Sequence, residues 1–312
     1  MVETPILFET FARPQYARVV FDAIKKAQPR KLYFYSNKAR IEKPDELKNN
    51  DEIRSWINEV DWDCELHTFF RKEYVDVYTS LKGAIDWVFS MEPEAIILED
   101  DCVPTQAFFS FCDQMIARYR NDERVWCISG DNYTDFSPED SDYYFSHYHF
   151  MYGWASWRDK WSKIQWENLP IQSLIDTDKL TAIYKTRGQV RYRKNELRRI
   201  KDFVNTTHCW DYALGIEMDY HQAVTAHPKE HLVTCIGLFG ENSKLSQETM
   251  FHKHSKSIEP YYKIERHPDV VSADLQNDYV LYLELKSYMK IYRRVWRRLV
   301  AYIHRHLGPI WN

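Results

Sequence analysis

Three adjacent carboxylates, Glu99-Asp100-Asp101, close the apolar run Ile96-Ile97-Leu98. Like charges this close repel one another, and they cost stability unless a cation or hydrogen-bond donors stand among them. A divalent metal at the carboxyl edge of a sheet resolves that repulsion. Hard cations of the Mg2+ or Mn2+ type take oxygen ligands and commonly bridge protein carboxylates to a substrate's phosphates. On the triplet alone, a strand running into a solvated acidic turn is an equally open alternative.

The elements that must place the triplet follow a regular alternation. Strand-like runs at Pro5–Phe8, Lys31–Tyr35, Leu66–Phe70, Ala95–Leu98 and Val125–Ser129 are separated by amphipathic stretches at Tyr16–Ala27, Asp45–Val60, Tyr78–Met91 and Thr105–Tyr119. Strand starts recurring about every thirty residues have the length of a strand-helix-strand unit. They predict an α/β fold, a mainly parallel sheet flanked by helices on both faces. Ligands of such sheets bind at the carboxyl ends of the strands, where the triplet falls. After Gly130 the texture changes. Asp131–His149 reads as a Tyr-rich loop, and an aromatic block, Met151-Tyr152-Gly153-Trp154-Ala155-Ser156-Trp157, follows it. Helical patterns lie around Gln189–Phe203 and Trp210–Gln222, with short strand-like pieces at Ala223–Thr225 and Leu232–Ile236.

The 312 residues, 44% hydrophobic, suffice for one large core. A net charge of −4 gives no overall nucleic-acid signature. The charge is uneven: Leu281–Asn312 carries seven Lys/Arg against Glu284, a tail of +6 and hence −10 for the rest. Six cysteines without a CxxC spacing read as reduced thiols of a cytosolic protein. The N-terminal stretch is unlike a signal peptide, and no apolar run is long enough to span a bilayer.

In order and spacing, ILFETFARP, KLYFYSN, WDCELHTFFR, IILEDDCVPTQAFFSFC, ISGDNY, YGWASW, CWDYAL and LVTCIGLFGENS resemble nucleotide-sugar-dependent glycosyltransferases of the GT-A (Rossmann-like) fold. The likeness is to bacterial nucleotide-diphospho-sugar transferases and N-acetylglucosaminyltransferases that carry an EDD sequence. It implies Mn2+ or Mg2+ as cofactor, with Asp101 as the direct metal ligand and Glu99 and Asp100 orienting metal water, ribose or donor sugar. Thr10, Phe11 and Arg13 match the nucleoside-contact loop, Asn37 falls near the base, and Arg71 near the diphosphate. One departure is Glu73–Thr79, where relatives carry a Gly-rich, Lys-containing stretch. Asp211, in Trp210-Asp211-Tyr212, matches the general base of inverting enzymes; the alternative is a helix N-cap. Burial beside Trp210 raises its pKa, and a helix N-terminus lowers it. Trp154 and Trp210 are the candidates for stacking on the sugar or acceptor. His252 and His254 read as solvated rather than as metal ligands.

The resemblance therefore implies a metal-dependent, inverting glycosyltransferase that uses a nucleotide-diphosphate sugar, a UDP-sugar for preference, and a glycan or lipid-linked glycan acceptor. A retaining transferase, a sugar-nucleotidylyltransferase and a non-catalytic carbohydrate-binding relative are the alternatives. Residues 1–277 form the transferase domain (1–130 nucleotide-binding, 131–277 acceptor and catalytic), and 278–312 a basic amphipathic helix. With its Trp and Tyr, the helix over Asp278–Leu307 reads as a contact with an anionic membrane surface, which makes the protein cytoplasmic and peripheral on the membrane's inner face. Docking on its own domain or on a second subunit is the other reading.

Overall fold

The computed structural model describes residues 1–201, 210–239, 249–255 and 261–286. The fold is α/β, with one eight-stranded, mainly parallel sheet flanked by helices. Its first half follows the sequence alternation: β1 (Ile6–Thr10), α1 (Pro14–Ala27), β2 (Lys31–Ser36), α2 (Pro44–Ser55), β3 (Glu65–Phe70), α3 (Val77–Met91) and β4 (Glu94–Glu99). A short β5 (Cys102–Pro104), α4 (Gln106–Tyr119) and β6 (Val125–Ser129) come next. Prolines at the first turns of α1 and α2 suit a position whose N–H has no helical partner. Side-chain caps from Asp76 and Thr105 start α3 and α4.

The second half is less regular. It comprises β7 (Tyr143–Ser146), β8 (Trp154–Trp157), α5 (Arg158–Trp161), α6 (Ile171–Asp176), α7 (Lys179–Ile183) and α8 (Arg187–Ile200). Then follow α9 (Trp210–His221), β9 (Val224–Pro228), β10 (Val233–Cys235) and α10 (Leu275–Leu285). The strand order is β3-β2-β1-β4-β8-β6-β9-β7, and β5 pairs with β10 in a separate ladder. β1 to β4 run parallel, as do β6 and β9, whereas β8 lies antiparallel between β4 and β6.

Two expectations change here. The Tyr-rich stretch taken as a loop contains β7, which pairs antiparallel with β9. Trp154, a candidate for stacking on the sugar, lies in β8, a fully buried central strand. Its alternating side chains fill both faces of the sheet, so its aromatic character serves the core.

One face of the sheet buries Phe8, Ile96 and Leu98 under α1, α2 and α4. The other buries Leu7, Tyr35 and Ile97 under α3 and α9. A smaller cluster joins α6, α7 and α8 to Ile216 of α9. The described part of the C-terminal helix is α10, which begins at Leu275 and packs on the domain. There Asp278 accepts from Ser146 Oγ and from His147 N (3.0 Å), and Leu281 packs against Tyr133 and Phe150. The basic part of that expected helix, 287–312, lies outside the described residues. No helix among them is long and apolar enough to cross a membrane.

Candidate functional site

Glu99 is the last residue of β4, where side chains alternate between the two faces, and Asp100 and Asp101 form the turn that follows. Glu99 continues the Ile97 side, toward α3 and α9. Glu9, on β1, stands in register with it and on the same side. Asp100 turns the other way, where the Arg13 guanidinium pairs with Asp100 Oδ1 and reaches Asp101 Oδ2 at 2.9 Å.

One guanidinium among four carboxyl groups leaves an electrostatic deficit. Burial, then repulsion from Glu99 and Asp100, raises the Glu9 carboxyl well above its ordinary range. Burial, followed by Asp101 and Asp100, raises Glu99, and Asp211 adds to the push. Burial also raises Asp100, against the pull of Arg13. Both carboxyl oxygens of Glu9 and Oδ2 of Asp100 are buried with no hydrogen-bond partner. Orphaned, solvent-excluded carboxylate oxygens are expensive unless a proton or a cation answers them. The donor set is all oxygen, which fits a hard divalent ion.

Asp101 has a second set of neighbours. Its carboxylate lies with the Cys102 and Cys235 thiols, ligand atoms within 4.8 Å of one another. The hydrogen bond with Cys235 and burial push the Cys102 thiol up, so it stays protonated and is a poor ligand for a hard ion. Gly237 closes over the carboxylate: a Cβ there would lie 2.0 Å from Asp101 Oδ2.

Glu99 opens into a cavity of about 430 Å³ that Asp211 and Trp210 also line. Asp211 occupies the first turn of α9 and is exposed at the cavity wall. The protein packed around it raises its carboxyl, against the lowering effect of backbone N–H groups at the helix start. Trp210 is stacked on Trp154 with ring centroids 5.5 Å apart. Trp154 itself is 1% exposed and supports Trp210 from below without reaching the cavity. His149 forms another wall and fills the space beside Gly215 that a side chain would need. At the far end Asp219 accepts from Arg193 (2.6 Å) and from Tyr184 (3.0 Å).

The nucleoside-side candidates lie at the ends of β1, β2 and β3. Thr10 Oγ1 donates to Tyr35 O (2.8 Å). Asn37 is buried and clamps the loop before α3, donating to Val75 O (2.8 Å) and accepting from Val75 N (3.3 Å). Arg71 donates to the Tyr35 hydroxyl and to Thr79 O, so its guanidinium is folded back over the sheet. Phe11 pairs with the exposed ring of Tyr74 at 6.0 Å. Asn50, which sequence reading passed over, donates to the carbonyls of Phe11 (2.6 Å) and Asn37 (2.9 Å). His252 Nδ1 accepts from Thr249 N (3.0 Å) and closes a turn.

The fold thus gathers Arg13, Glu99, Asp100, Asp101 and Asp211 around one sheet edge. Thr10, Asn37 and Arg71 have their polar atoms committed to the protein. Glu9 was the residue missed, although a charged side chain inside the apolar run ILFET was a visible signal.

No protein-family model matches the chain, and no curated protein sequence matches it. Among solved structures, a mannosyltransferase from Pyrobaculum calidifontis, in complex with GDP-mannose and Mn2+, is 14% identical with a TM-score of 0.39. That likeness covers 53% of this chain and 47% of that one, so the chain spans about half the mannosyltransferase's length. A UDP-glucose pyrophosphorylase complexed with UDP-glucose is 11% identical with a TM-score of 0.29, over 55% of this chain and 81% of that one. Likenesses this distant leave the function to the residues themselves.

Proposed function

We propose that the chain is a metal-dependent glycosyltransferase of the GT-A type. It moves a sugar from a nucleotide-diphosphate donor, for preference a UDP-sugar, to a hydroxyl of a glycan or lipid-linked glycan. The observation that carries this reading is the division of the acidic triplet. Asp100 and Asp101 face Arg13 on one side, and Glu99 faces the Asp211 cavity on the other. A leaving diphosphate and an incoming hydroxyl need separate places on opposite sides of the sugar, and the divided acids suit that need.

In this reading Asp101, helped by Asp100, would hold Mn2+ or Mg2+, which when bound would supply positive charge to offset that of the departing nucleoside diphosphate. Arg13 keeps the two carboxylates together and offers its remaining N–H groups to phosphate oxygens. Phe11 and Tyr74, a tilted ring pair with Tyr74 exposed, offer an aromatic surface for the base. Asp211 takes the proton of the acceptor hydroxyl as that oxygen bonds to the anomeric carbon and the bond to the diphosphate breaks, which inverts the centre. A raised carboxyl makes a better base than one at the ordinary value of about 3.9. Glu99, kept protonated near neutral pH by burial and its acidic neighbours, donates a hydrogen bond to a sugar hydroxyl.

A screen of nucleotide sugars for Mn2+-dependent thermal stabilisation and hydrolysis tests the assignment, with Asp101→Ala as control. No metal-dependent response to any nucleotide removes it. Asp211→Asn should abolish transfer while donor binding survives; substantial residual turnover moves the base elsewhere. Liposome flotation of the full chain, against one ending near Asp278, tests the membrane contact of the tail.

A further inference from the structure

A second concavity, about 540 Å³, opens between α7 and α8, and its charge is the reverse of the chain's. Lys185, Arg187, Arg191, Lys194 and Arg198 line it, against one acid, Asp178. The four cations on α8 recur at intervals of four, three and four residues, one face of a helix. They form a stripe about 16 Å long at 1.5 Å per residue.

Neutralisation on this helix is selective. Arg193, on the inner face, is paired with Asp219 and Glu196. Lys194 donates to Thr177 O and Arg198 to Asn195 Oδ1, both uncharged acceptors. Among the described residues, no carboxylate pairs with Arg187, Arg191, Lys194 or Arg198. Like charges along one stripe repel, so an anion in the groove is stabilised by several of them at once.

Tyr184 lines both this groove and the Asp211 cavity, and its hydroxyl is held on Asp219. The two spaces are therefore neighbours across a single fixed ring. We infer that the groove binds a phosphate or diphosphate group of the acceptor, whose sugar end reaches past Tyr184 toward Asp211. This rests on the glycosyl-transfer reading above. Forked guanidinium groups around a concavity match phosphate oxygens in geometry as well as charge. A bilayer surface fits less well, because none of the exposed large apolar side chains belongs to α7, α8 or their connection.

The test uses the full chain, inorganic pyrophosphate as probe, and a chelator so that the acidic edge takes no metal-bound phosphate. Calorimetry should show salt-sensitive pyrophosphate binding. Arg187→Gln/Arg191→Gln should weaken it at least tenfold without changing the melting temperature, and Asp101→Ala should leave it intact. In the presence of Mn2+, the double variant should keep acceptor-free nucleotide-sugar hydrolysis, because its donor site is intact. Equal binding by the double variant and the wild type overturns the groove. Loss of binding in Asp101→Ala also overturns it, since the probe then sits at the donor site. Loss of flotation with anionic vesicles in the double variant, with pyrophosphate binding unchanged, replaces it with a membrane contact. Groove binding without any metal-dependent nucleotide response overturns the transfer reading, and with it the acceptor assignment, leaving only an anion site.

Discussion

Glu9 and Glu99 stand side by side, in register on the parallel strands β1 and β4, with both Glu9 carboxyl oxygens buried and unpartnered. A carboxyl in this position holds its proton far above the usual range, because burial and Glu99 both oppose ionisation. In the unfolded chain it ionises near pH 4.3. The folded state therefore binds more protons, and its stability falls as pH rises above that value. Glu9→Gln removes this penalty. In chelator at pH 7, we expect the variant to be more stable than the wild type by on the order of 1 kcal/mol or more. Urea melts in chelator at pH 5 and 7 check the sign and its growth with pH; a variant less stable than the wild type would falsify the account.

Gly237 is required by the same edge from the other side. A methyl group there meets Asp101 Oδ2, so Gly237→Ala must turn the carboxylate away from Arg13 or lift the turn after β10. Disturbing the groups that orient a metal ligand typically costs roughly 10–100-fold in metal affinity. We expect Mn2+-dependent nucleotide binding to weaken by about that factor, with a smaller effect on metal-free melting. Unchanged metal dependence would separate Asp101 from the ion.

Much of this arrangement was legible in the sequence, for physical reasons. β1 to β4 and β6 are apolar runs bounded by turn residues, and their spacing announces strand-helix-strand units. β8 escaped because WASW has neither the length nor the β-branched content of a strand, and its antiparallel insertion depends on pairing with β4 and β6. The triplet advertised its own repulsion, but which acid faces which side depends on where β4 ends and on the turn that carries Asp100 and Asp101 together to Arg13. Glu9 could be seen as an oddity within ILFET. Its partnership with Glu99 required the register.

Trp154 and Trp210 were equivalent candidates as sugar platforms, and their burial now separates them. Trp154 is enclosed in β8 beneath Trp210, which lines the cavity. Trp154→Ala should cost about 3–5 kcal/mol of stability, the usual scale for a buried Trp. Trp210→Phe keeps most of the packing volume and should cost less than about 1.5 kcal/mol. Its effect should appear as a raised acceptor KM. Equal melting losses for the two variants, with no kinetic effect at Trp210, would make both of them core.

Acid should destabilise the fold through His231 and Asp142 in succession. His231 is 2% exposed, and its Nδ1 accepts the Asn132 N–H at 2.9 Å, so that nitrogen carries no proton. Burial first, and nearby Lys253 second, push its pKa down to about 3. The unfolded chain protonates this ring near pH 6.5. Its contribution is therefore complete above that value and is lost as pH falls toward 3, at up to about 1.4 kcal/mol per pH unit. Asp142 works in a lower window. Lys229 and the Arg266 and Glu265 backbone N–H groups hold its carboxyl below the usual range, outweighing its partial burial. Its contribution is present above about pH 4 and lost below it. His231→Asn retains an acceptor for the Asn132 N–H and removes the titration. Urea melts between pH 7.5 and 4.5 should therefore fall less steeply for the variant than for the wild type. Parallel slopes would show that His231 titrates alike in the folded and unfolded chains.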